Sequence, residues 1–236
     1  MKADPSSFYD SLASEYNKVF FTRKKYHDAV DNLIRSNSDY SSWSHILDVG
    51  SGNGKRVIGL FLHRQFILHC VESSSEMVAL LRKSKEIELV IQSDFCTLDY
   101  KDFGNPYDLV LMQWNVIGHL SNISDAFKLV SQTVKIGGHF IFDFNNPLNY
   151  KQYGVLNSLR NSLKFILSKT DGHLKFKISH ENSYTETYFY KVSYISKLLD
   201  KNGFRLNKIV YLNYSTGEAE NRLGGQVFID AIRISR

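Results

Sequence analysis

The stretch from Ile46 to Leu62 constrains this chain more than any other. Ile46-Leu47-Asp48-Val49 is a short apolar run that passes directly into Gly50-Ser51-Gly52-Asn53-Gly54. Lys55–Leu62 follows, with Val57, Leu60 and Phe61 on one helical face. A buried strand, a glycine turn and an amphipathic helix in immediate succession form the opening of a strand–helix–strand unit, and the same rhythm recurs downstream. Phe66–Val71 reads as a second strand, followed by a helix at Glu76–Lys85 that buries Met77, Leu80 and Leu81. Leu89–Ile91 and Asp108–Met112 read as the third and fourth strands, Ala126–Val134 as a helix, and His139–Asp143, after a Gly137-Gly138 turn, as the fifth. Strands alternating with amphipathic helices predict an α/β fold with an open, mostly parallel sheet and helices on both faces.

Residues 144–190 break the rhythm. Asn145-Asn146-Pro147 ends the fifth strand, a helix is expected over Val155–Leu167, and a turn at Asp171-Gly172. His173–Ser179 and Tyr184–Val192 read as an antiparallel pair lying over the sheet. A helix at Ser193–Lys201 stops at Gly203. Phe204–Tyr214 and Gln226–Ile234 then complete a seven-stranded sheet as a C-terminal antiparallel hairpin at its edge, joined by Thr216–Gly225. The expected organisation is a helical N-terminal lid at 1–43, a core formed by 44–148 and 190–236, and an inserted lid at 149–189.

A chain of 236 residues that is 43% hydrophobic supplies one substantial core with a small appended lid. Cys70 and Cys96 are too few for a disulfide framework, which fits a reducing compartment. No apolar run suits a signal segment or a bilayer span, so a cytoplasmic protein without a membrane partner is expected. The net charge is +5 and the excess is local. Residues 149–180 hold Lys151, Arg160, Lys164, Lys169, Lys175 and Lys177 against Asp171 alone. Two readings stand for that segment, a solvated face or a surface that attracts phosphates and carboxylates.

The glycine loop is the chemical signal. Glycines there permit a tight turn and close approach of backbone to a ligand, and the helix behind them presents free N–H groups to the crevice. In dinucleotide folds such a loop cradles a pyrophosphate. Here the spacing is Gly-x-Gly-x-Gly, and Asp48 stands two residues before the first glycine. A carboxylate at the entrance repels a pyrophosphate and suits a ligand with a cationic amino group.

Asp48–Gly54 resembles the first motif of the class I S-adenosylmethionine-dependent methyltransferases, and the similarity runs from about Phe8 to Ile234. The resemblance implies a Rossmann-like sheet, S-adenosylmethionine as the cofactor, and direct in-line transfer of its methyl group to a nitrogen or oxygen of a small molecule. Gly50, Gly52 and Gly54 would shape the loop around the methionine part, with Asp48 near its amino group. Glu72, at the end of the second strand, would accept hydrogen bonds from the ribose hydroxyls. Met77 would sit beside the adenine or belong to the core. Ser74 and Ser75 read as a helix N-cap. Asp94 and Phe95 match the adenine-binding position, although an aspartate after a strand is also an ordinary turn residue.

Gln113-Trp114-Asn115-Val116-Ile117-Gly118-His119-Leu120 begins past the fourth strand, where ligands of open sheets bind. Gln113 would line the cofactor pocket, with Trp114 and Asn115 at the methyl-transfer end. His119 would orient substrate or cap a helix. The opening Phe8–Tyr16 resembles the lid of small-molecule methyltransferases, which makes Tyr16 and Tyr9 substrate-side candidates. Arg23 would pair with the cofactor carboxylate. Tyr16, His119 and Asn115 are the candidates for orienting or deprotonating the acceptor.

The expected partner is a small molecule, an anionic one if the basic segment contacts it, and the chain a monomer or homodimer. No metal-ligand spacing is found. Two other readings remain. One is an RNA-directed methyltransferase, if Lys164, Lys169, Lys175 and Lys177 line a groove with aromatic faces. The other is a non-catalytic cofactor-binding partner protein, in which Trp114 or Tyr16 would fill the methyl end.

Overall fold

The computed structural model describes residues 4–167, 173–180 and 183–235. The Asp171-Gly172 turn and Lys169 lie outside them. Three helices open the chain, α1 (Pro5–Leu12), α2 (Tyr16–Thr22) and α3 (Lys24–Arg35). The alternating core follows as β1 (His45–Val49), α4 (Lys55–Phe61), β2 (Ile67–Glu72), α5 (Ser75–Leu81), β3 (Leu89–Gln92), β4 (Tyr107–Met112), α6 (Ile123–Thr133) and β5 (Val134–Phe144). The insertion contributes α7 (Tyr150–Tyr153), α8 (Val155–Leu167) and the hairpin β6 (His173–His180) and β7 (Ser183–Tyr190). Then come α9 (Val192–Lys201), β8 (Phe204–Leu212), the two-residue β9 (Ala219–Glu220) and β10 (Gln226–Arg233).

The main sheet runs β3-β2-β1-β4-β5-β10-β8-β9, and β6–β7 form a separate antiparallel pair. β3 through β5 are parallel, whereas β10 is antiparallel to both β5 and β8. This is the expected Rossmann-like fold with two refinements. An eighth strand, β9, lies inside a loop too short to show periodicity. The final strand enters the sheet between β5 and β8 instead of sitting at its edge. The burial of the two strands accounts for that order. β10 is buried along nearly its whole length, as Val227, Phe228 and Ile229 require, while the middle of β8 is exposed. A strand that is apolar on both faces belongs inside a sheet.

Alternating strand residues feed two cores. On one face Ile46, Leu109, Leu111, Ile141 and Phe228 pack with Val30 and Ile34 of α3 and with Val57, Leu60 and Phe61 of α4. On the other, Leu47, Val110, Met112, Phe140, Phe142 and Ile229 pack with Phe127 of α6 and Leu199 of α9. The Gly137-Gly138 turn becomes a bulge within β5. Register against β4 jumps from Tyr107↔Val134 to Leu109↔His139, and Gly137 takes a φ of +81°.

α3 carries a buried histidine at the junction with the sheet. His27 stacks on Phe20 at 4.4 Å and meets Trp114 edge-on, and neither ring nitrogen has a hydrogen-bonding partner among the described residues. Burial drives its pKa from 6.5 down to about 2. The unfolded chain therefore binds a proton below about pH 6.5 that the folded protein refuses, and stability falls with acidity by up to about 1.4 kcal/mol per pH unit from this group alone. His27→Phe keeps the stacking and removes the titration. Denaturant unfolding over a pH series should show the variant gaining on the parent as the pH falls.

Candidate functional site

The site forms at the carboxyl ends of β1, β2 and β4, where the chain leaves the sheet in turns that only particular residues permit. Gly50, Gly52 and Gly54 all have positive φ, 68°, 54° and 74°. At Gly52 a Cβ would lie 2.7 Å from the Tyr16 hydroxyl, so the loop and the N-terminal helices meet there at contact distance. Glu72 braces the loop. Its Oε2 accepts from the Gly52 N–H at 2.8 Å, and its Oε1 from Ser73 and Ser74 N–H at 2.8 and 2.9 Å. Three of a carboxylate's four lone-pair directions are thus in use, and one remains for a ligand hydroxyl. Ser74 caps α5 through the Met77 N–H at 3.2 Å.

A cavity of about 440 Å³ opens above these turns. Gly50, Gly52, Glu72, Met77, Asp94 and Phe95 line it together with Tyr9, Tyr16, Gln113, Trp114 and His119. The sequence candidates that converge here are thus the glycine loop, the acidic residue after β2, the Asp94-Phe95 turn and the Trp–His loop. Asp94 Oδ1 also accepts from the Cys96 N–H at 2.9 Å, so its turn role and its place in the cavity coexist. The Tyr9 hydroxyl stands 3.4 Å from His119 Nε2, and the Tyr16 ring meets Trp114 edge-on at 5.6 Å. Trp114 and Tyr16 wall the cavity rather than fill it. A second cavity of about 380 Å³ shares Tyr16, Gly50, Gln113 and Trp114 with the first, and adds Asp48, Asp31 and Arg56.

Three candidates have different places. Gly54 lies behind the loop, where a Cβ would be 2.7 Å from Leu81 Cδ2. Arg23 lines neither cavity, and its guanidinium lies over the Tyr214 ring, 4.5 Å from the centroid. The buried cation beside the glycine loop is Arg56. Its Nε donates to Asp31 Oδ1 at 3.0 Å, while Nη1 has no hydrogen-bonding partner among the described residues. Asn115 does not line either cavity, because its amide is committed to structure. Its Oδ1 accepts from the Asn145 N–H at 3.0 Å, and its Nδ2 donates to Thr187 Oγ1 at 3.0 Å. Thr187 Oγ1 donates in turn to the Gly118 carbonyl at 3.1 Å. A Cβ at Gly118 would stand 2.5 Å from Asn115 Nδ2, so glycine is required at this crossing.

Trp114 and Asn115 both adopt φ of 62°, an unusual pair of left-handed residues. Asp143, at the end of β5, holds them. Its Oδ1 accepts from the Trp114 N–H at 2.5 Å and its carbonyl from the Asn115 N–H at 3.2 Å, while Oδ2 accepts from the Tyr26 hydroxyl at 2.7 Å. Sequence reading treats Asp143 only as the end of a strand. Asp10 is also legible only in three dimensions. It ties α1 to the start of α5, accepting from Ser74 Oγ at 2.6 Å and the Glu76 N–H at 3.1 Å.

Burial sets the electrostatics. It pushes the Asp48 carboxyl up to about 7 and the His119 imidazole down to about 4, and raises the Tyr9 and Tyr16 phenols well above 10. Lys164, Lys175 and Lys177 line neither cavity. They lie over Phe176, Tyr188 and Tyr184 respectively, and Lys175 also pairs with Glu186 at 2.7 Å.

Residues 47–142 match the family described as the methyltransferase domain. No curated protein sequence matches the chain. Among solved structures the fold is similar to that of an S-adenosylmethionine-dependent methyltransferase from Clostridium acetobutylicum. The identity is 18%, over 96% of this chain and 99% of that one, with a TM-score of 0.63. It is also similar to a methyltransferase of Thermotoga maritima described as a possible histamine N-methyltransferase, at 15% identity over 97% and 99% and a TM-score of 0.66. A third is an amino pentose methyltransferase of Micromonospora echinaspora involved in calicheamicin biosynthesis, solved with S-adenosylmethionine bound. There the identity is 16% over 92% and 96%, with a TM-score of 0.60. Residues 47–142 thus carry a match to a methyltransferase domain, and the fold of the whole chain is similar to that of S-adenosylmethionine-dependent methyltransferases.

The Thr187 hydroxyl joins the inserted hairpin to the loop that carries Trp114 and His119. Thr187→Val preserves shape but strands the Asn115 amide and the Gly118 carbonyl. Denaturant unfolding should show a loss of about 1–3 kcal/mol, and Thr187→Ser should recover most of it.

Proposed function

We propose that the protein binds S-adenosylmethionine across the two joined cavities and methylates a nitrogen of a small molecule. The residues present fit that cofactor. Glu72 has one lone-pair direction left for a ribose hydroxyl, and Asp94 and Phe95 suit the adenine. Asp48 offers a carboxylate to the amino group, and the unpartnered Arg56 Nη1 offers a cation to the carboxylate. Gln113 Nε2, buried between the cavities and without a partner among the described residues, gains an acceptor on binding. When bound, the cofactor supplies an electrophilic methyl group on a sulfonium.

The chain's own contribution is position, exclusion of water and the absence of a strong base. Tyr9 and Tyr16 remain protonated at neutral pH, because burial raises both phenols. His119 is neutral and too weakly basic, at about 4, to draw a proton from an alcohol. A neutral amine needs no such help, since its lone pair attacks directly and the surplus proton leaves afterwards. That polarity of the cavity wall favours nitrogen over an unactivated hydroxyl. An amino pentose methyltransferase and a possible histamine N-methyltransferase among the structural neighbours agree with it. In this reading helices α1 and α2 and the insertion at 149–189 are the lids that hold the acceptor in line and keep water out. Asn115 acts as a positioning residue for Trp114 and His119, not as a group that touches the substrate.

The single observation that carries the proposal is the convergence of Glu72, Asp94 and the glycine loop with Tyr9, Tyr16, Trp114 and His119 around one cavity. Isothermal calorimetry tests it with S-adenosylmethionine and S-adenosylhomocysteine, NAD serving as the control. The sulfur compounds should bind and NAD should not, and Glu72→Ala should weaken binding by about tenfold to a hundredfold. Binding of NAD, or of nothing, would sink the assignment.

Asp48 adds a pH signature. Below about pH 7 its carboxyl is protonated and no longer attracts an ammonium group. Cofactor affinity should therefore fall as the pH drops through 7, by up to about tenfold per unit. Asp48→Asn should bind weakly at every pH, with this dependence flattened.

A further inference from the structure

Helix α8 is folded the wrong way round for a surface helix. Its inward face carries Ser158, Asn161 and Phe165, at 7%, 6% and 5% exposure, and Asn161 Nδ2 donates to the Pro147 carbonyl at 3.1 Å. Its outward face carries Leu156, Leu159, Leu163 and Leu167, exposed at 78%, 56%, 56% and 78%, with Val155 at 60%. The leucines recur at intervals of three, four and four residues, so they form one stripe along the whole helix. A helix that buries serine and asparagine and shows water its leucines has a second apolar environment to enter.

Charge indicates which environment. Arg160 and Lys164 flank the stripe on one side, both exposed. Residues 149–170 also contain Lys151 and Lys169 and no acidic residue, and of these Lys151 is paired with Glu220. In an antiparallel two-fold pairing of two copies centred on the stripe, Arg160 would face Lys164. A lipid surface requires neither a large matching area nor shape complementarity, and an anionic one attracts the basic flank.

We propose that α8 docks this protein on an anionic membrane surface, the leucine stripe entering the acyl boundary while Arg160 and Lys164 engage the headgroups. Among the described residues no helix is long and apolar enough to cross a membrane, and none is needed for this. The sequence expectation of no membrane partner rested on span length, which does not bear on a helix lying in the interface plane. The docking surface belongs to the insertion whose β7 residue Thr187 grips Asn115 and Gly118. A helix held at the membrane is therefore one hairpin away from the loop that carries Trp114 and His119.

The test is flotation of the full chain with vesicles of phosphatidylcholine mixed with phosphatidylglycerol, compared with phosphatidylcholine alone. Binding should be confined to the mixed vesicles and weakened by salt. Each removed charge, in Arg160→Gln and Lys164→Gln, should cost about fivefold in partitioning. Leu159→Ser combined with Leu163→Ser should reduce binding at least tenfold, with thermal unfolding unchanged because both side chains are exposed. No binding to the mixed vesicles, or equal binding by the leucine variant, overturns the proposal. So does a dimer in light scattering that the leucine variant dissociates, since the stripe would then belong to a second copy.

Discussion

The Asp143 carboxyl, near the end of β5, fixes the geometry of the loop after β4. Two successive non-glycine residues with positive φ cost about 1–3 kcal/mol each. The bonds from Trp114 N–H and Tyr26 Oη to the buried Asp143 carboxyl, about 0.5–1.5 kcal/mol each, offset part of that strain. Burial pushes the Asp143 carboxyl up, and Arg56 and these two donors oppose that shift. The Trp114 indole is then secured from another side, Nε1 donating to Tyr214 Oη at 2.9 Å. One buried side chain near the end of a strand thereby aligns a helix from the N-terminal segment, the loop beside the cavity and the indole in its wall.

The sequence made the sheet legible because burial imposes periodicity. β1 through β5 and the helices between them could be read from spacing alone, and α8 has the bounds its pattern predicts. The glycine loop, Glu72 and the Asp94-Phe95 turn were legible for a different reason, since they are local motifs whose chemistry depends on a few adjacent residues. Arg56, Asp10, Asp143 and Thr187 were not legible. Each acts on a partner far away in the chain, and nothing in its neighbours distinguishes a bonded carboxylate from a solvated one. Arg23 is the cation that the sequence suggests for the cofactor carboxylate, but its guanidinium lies over the Tyr214 ring and lines neither cavity. Asn115 looked available beside Trp114, yet the left-handed turn aims its amide at the hairpin and the backbone.

The two segments proposed as lids differ in how they are attached. α1 is tied by Asp10 to the first turn of α5, a partly exposed arrangement of a carboxylate with hydroxyls and one backbone N–H. The insertion is attached through Thr187, which is fully buried. Solvent competes for the first and not for the second. Opening of the cavity should therefore begin at the N-terminal side, where Tyr9 and Tyr16 leave with their helices, while His119 and Trp114 stay with the sheet.

The position of β10 has a consequence for how the molecule assembles. It is paired on both edges, with β5 and with β8, yet it lies later in the chain than every strand beside it. During synthesis β5 is complete while its neighbour has not been made, so a buried, phenylalanine-rich edge waits without a partner. The central gap closes only when residues 226–233 arrive, and that closure joins segments far apart in sequence, the slow kind of contact. The last strand is thus the keystone of the sheet, and a chain interrupted before it exposes the surface best suited to aggregation.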